Sequence, residues 1–352
     1  MAKKYDSEKW KKQKEEAMQK LTDDLMKEVH KYTESPEDLL EFFDFFSKFH
    51  DYSANNVMLI RSQRSGALAV GSFIKFKELG YSVKRGQKGI KIIVPKPITM
   101  FDRKTSDGKI IPVNLKQATP EEKELIKNGK IKTSVKEAFG VGTVFDVLQT
   151  TMPKEEYPKL YPNRHQDFSV ENPKQLPLIE KAIKKQVVAK NLKLMTYNPT
   201  DPKCKDLPPM DNAKGYFSEE LNSIVLNADN TPTEKVAVLA HELGHAELHK
   251  VADKNDFSRG LKELQAEMTS YLVTKHYGID TKDETLKYIA DWTENGKKVD
   301  ELDDKEKLAL FNGPTKAAVN LIKAIDKDID LEEKKLEKTR KLKRIQKAGL
   351  ER

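Results

Sequence analysis

The sequence contains a single cysteine, Cys204, in 352 residues. That excludes an internal disulfide and any multi-cysteine zinc site. Apolar residues are also scarce, at 37%, while charged residues reach 34%; an average soluble protein carries roughly 25% charged. Much of the chain must therefore be solvated helix face, loop or tail around modest cores. Long hydrophobic runs are missing too. The apolar stretch Val236 to Ala240 falls far short of the roughly 20 residues of a membrane-spanning helix. No apolar segment follows the basic start, so a signal peptide is not expected. These absences lead to the expectation of a cytoplasmic protein with no membrane partner.

What is present is charge, and it is unevenly placed. The chain holds 64 Lys and Arg against 56 Asp and Glu, a net +8. Residues 61–100 carry nine cations against Glu78 alone, and residues 334–352 sum to +7. Residues 1–60 and 101–333 sum to −3 and −4. Two basic islands thus sit on a mildly acidic chain, a pattern that excludes a DNA mimic and points to a polyanion partner for one segment.

Periodicity predicts a helix over 7–31, with Trp10, Met18, Leu21, Leu25 and Val29 on its apolar face. Ser35-Pro36-Glu37-Asp38 opens a second helix, with a serine cap, proline at the first position and early acids. Its phenylalanines, Phe42 to Phe49, are expected in the core. A third helix is expected over 55–64. Phe73–Phe76 reads as a strand or a helix turn, and Tyr81–Lys84 and Ile90–Val94 read as strands punctuated by Gly80, Gly86 and Gly89. Residues 102–135 are Lys-rich and weakly periodic. They read as an insertion or long loop with one short helix near 120–128. A strand is expected over 141–149 and a proline-rich linker over 150–175. A helix over 176–190, a strand over 192–197 and a hairpin of 215–217 with 223–226 follow. The end is a charged helix or frayed tail.

One motif carries chemistry. Thr231-Pro232-Thr233-Glu234 is a capping box with proline at the first helical position. The helix it starts contains His241-Glu242-Leu243-Gly244-His245. Histidines four apart share one face of a helix, so both imidazoles reach a single Zn2+ at roughly 2.1 Å. Glu242 lies about 100° around the helix and is directed at a water, as a general base requires. A second helix, Leu261 to Glu267, supplies acids at helical spacing. Glu267 is the favoured third ligand, with Glu263 as its rival and otherwise a partner that orients a zinc-bound histidine. His249 is placed to line the cleft or stabilise an oxyanion, or to be a plain surface histidine. For His276 and Tyr271, packing is the expected role, and Cys204 is expected to be inert. The strand 223–226 is taken as an edge to which a peptide substrate adds.

Single-stranded DNA is held by cations and by aromatic faces on which bases stack. The cations of residues 61–100, interleaved with Phe73, Phe76 and Tyr81, fit that pattern, as does a basic sheet over buried rings. Tyr52-Ser53-Ala54-Asn55-Asn56-Val57-Met58-Leu59-Ile60, Leu79-Gly80-Tyr81-Ser82-Val83-Lys84-Arg85-Gly86-Gln87-Lys88-Gly89 and Val144-Phe145-Asp146-Val147-Leu148-Gln149 follow one another in order. Here the chain resembles the ArdC family of antirestriction proteins and their LtrC-like relatives, as do Ala240-His241-Glu242-Leu243-Gly244-His245 and Glu263-Leu264-Gln265-Ala266-Glu267. The resemblance covers roughly 35–100, 138–151 and 210–275. It implies single-stranded-DNA binding by the first domain and a zincin-like metallopeptidase fold of gluzincin type in the second, and it favours Glu267 as ligand.

The expected fold is α+β: N-terminal helices with a small antiparallel sheet, a zincin-like domain on the His241–His245 helix, and a charged helical tail. The expected boundaries are 1–150, with insertion 102–135, then linker 151–175, metallopeptidase domain 176–322 and tail 323–352. The expected DNA contacts are Arg61, Arg64, Lys75, Lys77, Lys84, Arg85, Lys88, Lys91, Asn56, Phe76 and Tyr81. The expected metal ligands are His241, His245 and Glu267, with Glu242 catalytic and Glu263 and His249 around them. The expected function is protection of incoming mobile-element DNA from restriction. A regulatory zinc protease localised by DNA, and a DNA-binding module with a structural or vestigial zinc, are the competing readings.

Overall fold

The computed structural model describes residues 7–31, 33, 35–49, 52–105, 108–159, 176–210, 213–249 and 257–350. The second half of the expected linker, 160–175, lies outside them. The fold is mixed α+β. Helix α1 (Ser7–Lys31) packs by Leu21, Leu25 and Val29. Helix α2 (Pro36–Phe46) is capped as expected: the Ser35 hydroxyl accepts from the Asp38 amide. Its rings are buried, with Phe42 edge-on to Phe311 at 5.0 Å. Helix α3 (Ala54–Gln63) follows.

The first sheet joins β1 (Val70–Ser72), β2 (Ile90–Pro95) and the later β6 (Phe139–Asp146), antiparallel in the order β1-β6-β2. Between β1 and β2, Phe73–Glu78 is a helix, α4, capped by Ser72. The expected strand at Tyr81–Lys84 reduces to one bridge, Val83 with Thr150. Asp146 explains much of the Val-Phe-Asp-Val-Leu-Gln segment. Fully buried, it accepts from Arg64 Nε at 2.8 Å and from the Leu68 and Ala69 amides, and its own amide donates to Gln149 Oε1. Gln149 in turn donates to the Lys88 carbonyl, pinning the glycine-flanked turn to the sheet end.

Residues 102–135 are not a loop. Strands β3 (Ile98–Lys104), β4 (Ile110–Asn114) and β5 (Thr133–Lys136) form a second antiparallel sheet, with helix α5 (Pro120–Lys127) between β4 and β5. Its core is only Phe101, Val113 and Ala118. With so little buried, most strand positions face water on both sides, and the apolar/polar alternation that marks a strand is absent.

Helix α6 (Leu176–Ala189) leads to the third sheet, β7 (Lys193–Tyr197), β8 (Gly215–Ser218) and β9 (Ser223–Asn227), in the order β7-β9-β8. β9 runs parallel to β7 and antiparallel to β8. The expected edge at 223–226 is therefore the central strand, which accounts for its unbroken Ile224-Val225-Leu226 burial. The edge is β8. Helices α7 (Pro232–Leu248), α8 (Arg259–His276), α9 (Lys282–Thr293), α10 (Lys297–Asp300) and α11 (Asp304–Leu350) complete the chain.

The charged tail is the second half of α11. Ile325 and Ile329 are buried, whereas Leu331 and Leu336 are exposed. One continuous apolar cluster links α1–α3 and the first sheet to α6–α9 and α11. No described helix is long and apolar enough to cross a membrane.

Candidate metal centre

The phase of α7 is set at its start. Thr231 accepts from the Glu234 amide at 3.3 Å, and Glu234 accepts from the Thr231 amide at 2.7 Å. Counting from that cap, His241 and His245 fall on the face toward α8. α7 can approach α8 closely because Gly244 carries no side chain; a Cβ there would lie 3.2 Å from Thr269 Cβ and 3.3 Å from Ala266 Cα. The two ring nitrogens His241 Nε2 and His245 Nε2 come within 3.1 Å of each other. Glu263 Oε2 lies 3.3 Å from both.

The other ring nitrogens point outward to partners. His241 Nδ1 meets Glu267 Oε2 at 3.2 Å, and His245 Nδ1 meets His249 Nδ1 at 2.9 Å. Glu267 also accepts from the Thr285 hydroxyl, and His249 Nε2 lies 3.0 Å from Gln265 Oε1. The two acids of α8 thus stand in the reverse of the expected arrangement. Glu263, not Glu267, reaches the point where the histidines converge. Glu267, one helical turn on, holds the far nitrogen of His241.

This donor set fits a divalent cation. An Nδ1–H held on a carboxylate leaves the opposite Nε2 with its lone pair. In that tautomer His241 Nε2, His245 Nε2 and a Glu263 oxygen form a group of acceptor atoms within 4.8 Å of one another. Without a cation their mutual approach is unfavourable. The electrostatics show the same demand for positive charge, which a proton on His241 meets when no cation is bound. Burial opposes a charge on His241, but hydrogen bonds to Glu263 and Glu267 overcome it and push its pKa up to about 10. Burial also raises Glu263, yet its bonds to His241 and His245 win and hold it below the usual carboxylate range. His249 is pushed down to about 4, by burial first.

Glu242 is 6% exposed. Its pKa is raised, chiefly by burial, as suits a proton-transferring carboxylate. It opens with His241 onto a cleft of about 690 Å3, bounded also by Gly215 of β8 and by Tyr288 of α9. A Cβ on Gly215 would meet Val238 Cγ1 at 2.4 Å, so the glycine lets the edge strand lie against α7.

The sequence reading missed Tyr288 and Thr285. Tyr288 donates to Glu263 Oε2 at 2.9 Å and stands edge-on to His241. Burial, and then the Glu263 charge, raise its pKa. Their three-residue spacing was the only signal available. His276 and Tyr271 pack elsewhere: His276 faces Asp326, and Tyr271 donates to Asp44 at 2.6 Å. Cys204 is buried against the Thr196 carbonyl.

The residues expected to meet DNA divide into two groups. Arg61 pairs with Glu41 and lies over the Phe45 ring, and Arg64 is held by Asp146. Asn56 is committed to β2: it donates to the Ile93 carbonyl at 2.8 Å and accepts from the Ile93 amide at 2.9 Å. Phe76 is fully buried, and Tyr81 packs beside it. Lys91 donates to Thr143, and Lys84 to the Leu148 carbonyl. Lys75, Lys77, Lys84, Arg85, Lys88 and Lys91 are exposed. The neighbouring Phe73 is 54% exposed and is the one ring of this segment that offers a face.

Fold and site together define a metallopeptidase-like domain joined to a helix-and-sheet N-terminal domain. Residues 204–299 match the IrrE N-terminal-like domain of the Peptidase_M78 family, and residues 11–145 match the N-terminal domain of anti-restriction factor ArdC. The chain is an ArdC-like two-domain protein. It is 35% identical over 348 residues to an uncharacterized protein of Bacillus anthracis, pXO2-81, covering 96% of this chain and 56% of that one. The chain thus spans little more than half of that relative's length. Two crystal structures of the antirestriction ArdC protein from the R388 plasmid are also similar. The metal-free one is 17% identical and covers 79% of this chain and 86% of that one, with a TM-score of 0.41. The Mn(II)-bound one is 18% identical and covers 78% and 85%, with a TM-score of 0.41.

Proposed function

We propose that the chain binds single-stranded DNA through its N-terminal domain and carries a zinc peptidase site in its C-terminal domain, and that it protects incoming mobile-element DNA from restriction. The observation that carries the peptidase half is the convergence of His241 Nε2, His245 Nε2 and Glu263 Oε2 beside a buried Glu242. In this reading the two histidines and Glu263 hold the metal. Glu267 and His249 fix the two imidazoles through Nδ1. When bound, zinc polarises a peptide carbonyl and lowers the pKa of a water toward 7. Glu242 takes the proton of the attacking water on its carboxylate and passes it to the departing amide nitrogen. Tyr288, on the cleft wall, donates to the oxygen that becomes negative in the tetrahedral intermediate. The substrate lies extended, adding to the open side of β8 by main-chain hydrogen bonds.

The DNA half is supported by the ArdC-type domain and by the exposed cations of α4 and the 84–91 turn and strand around Phe73. The test is metal analysis with proteolysis, strand binding and antirestriction assays on wild type and Glu242→Ala. The reading requires bound zinc in both proteins, peptide cleavage by wild type alone, and equal DNA affinity. A wild-type chain that binds zinc and cleaves nothing would remove the peptidase half. If Glu242→Ala keeps full antirestriction, cleavage is dispensable for protection.

A further inference from the structure

The cleft is also lined by the start of α9, and there its charge is one-sided. Asp280 and Glu284, at the start of α9, line it. Both are exposed, and neither makes an ion pair with a cation among the described residues. The lysine in the lining, Lys214, is held by Glu234 at 3.1 Å. Glu267 is committed to His241 and Thr285. Among the described residues, these two carboxylates therefore have no cation paired with them in a cleft of about 690 Å3, although Asp280 accepts from the Lys282 amide at 3.1 Å. The dipole at the start of α9 favours acids whatever their use, but Asp283 serves it without lining the cleft. A nucleic-acid strand would be repelled from this end, whereas an extended peptide bearing a cation would supply the missing charge.

We propose that this part of the cleft selects an arginine or lysine side chain on the peptide that the metal centre receives, with Asp280 and Glu284 as the selecting residues. The inference rests on the reading of the cleft as a peptide site. The apolar part of the lining, Val238 and Ile279, takes the stem of a long cationic side chain while its head reaches the two carboxylates. Arginine engages carboxylates in a fork and lysine as a point charge, so arginine is preferred.

The test uses the full chain, zinc-loaded, with Glu242→Gln to stop turnover. Two series of dye-labelled dodecapeptides of alternating alanine and leucine carry either arginine or glutamate at each position in turn, and binding is read by fluorescence anisotropy. Partly exposed charge pairs are individually weak, so the best arginine peptide should bind about fivefold tighter than its glutamate counterpart. Adding Asp280→Lys and Glu284→Lys should invert the preference, and Asp280→Asn with Glu284→Gln should abolish it. Equal affinity of the two series, including no measurable binding of either, overturns the proposal, as does a preference that survives charge reversal. Cleavage of the same peptides by zinc-loaded wild type is scored separately. Charge-selective binding without cleavage leaves this inference standing and removes the peptidase reading. Cleavage that ignores charge does the opposite.

Discussion

Tyr271 of α8 donates a 2.6 Å hydrogen bond to Asp44 of α2, tying the helix that carries Glu263 and Glu267 to the phenylalanine-rich helix of the N-terminal region. Lys275, one turn along α8, reaches the same carboxylate at 2.9 Å. The rings beneath continue the link, with Phe43 6.0 Å from Tyr271. The two halves of the chain therefore share a core and should unfold together. Tyr271→Phe removes one bond to a charged acceptor and should cost about 1.5–3 kcal/mol. Calorimetry should show one lowered transition; two separate transitions in wild type would contradict the shared core.

Asp44 also gives a pH dependence with a definite sign. Burial raises its carboxyl, but the hydrogen bonds from Tyr271 and Lys275 outweigh it and hold it below its ordinary 3.8. A depressed carboxyl contributes its stability fully above the unfolded value and loses it as pH falls through the folded one. The stability difference between wild type and Asp44→Asn should be constant above 3.8 and shrink below it. Denaturant titrations from neutral pH downward will show this; a difference that grows on acidification would contradict the sign.

The helix and cap of the metal motif could be read from residues alone, because capping and four-residue spacing are local. The choice between Glu263 and Glu267 could not. Both sit on one face of α8, and the approach of α7 at Gly244 decides which acid meets the histidine nitrogens. Tyr288 comes from a third helix, and only its three-residue spacing from Thr285 marks it. The strand over 223–226 looked like an edge because a hairpin has two strands; β7, pairing in parallel from the other side, makes it central. Phe73, Phe76 and Tyr81 are alike interleaved with cations in the sequence, yet α4 turns Phe76 inward and Phe73 outward. Composition locates the basic segment but not the cations spent on structure, such as Arg64 on Asp146.

The acids of α8 should separate in metal titrations against a competing chelator. Glu263→Gln removes a ligand and should lose tight binding. Glu267→Gln and Thr285→Val disturb only the support of His241, so affinity should fall about 10- to 100-fold. The reverse ranking would restore Glu267 as the ligand.

Gly244 should tolerate no larger residue. Gly244→Val forces α7 away from α8 and should cost about 1–3 kcal/mol as overpacking. Metal affinity should fall with it, since ligands come from both helices. Unchanged metal affinity in a destabilised variant would show that the ligands do not depend on this contact.

The basic residues should sort by readout. Charge reversal of Lys77, Arg85 and Lys88 should weaken single-stranded-DNA binding without changing the melting temperature. It should also flatten the salt dependence, whose slope is about −0.7 per phosphate neutralised. Arg64→Ala should instead lower stability, because it strands the buried Asp146 carboxylate. Phe73→Ala should weaken DNA binding by about 1 kcal/mol or more through lost stacking. Wild-type affinity in the triple variant would relocate the groove.

The chemistry proposed for the C-terminal domain stands or falls with His241, His245 and Glu263 holding the metal. Anomalous diffraction at the zinc edge, from crystals of the zinc-loaded chain, tests it most directly. One peak per chain is expected, within about 2.3 Å of His241 Nε2, His245 Nε2 and a Glu263 oxygen, with Glu267 still on His241 Nδ1. No peak there, or one held by Glu267 in place of Glu263, would contradict it.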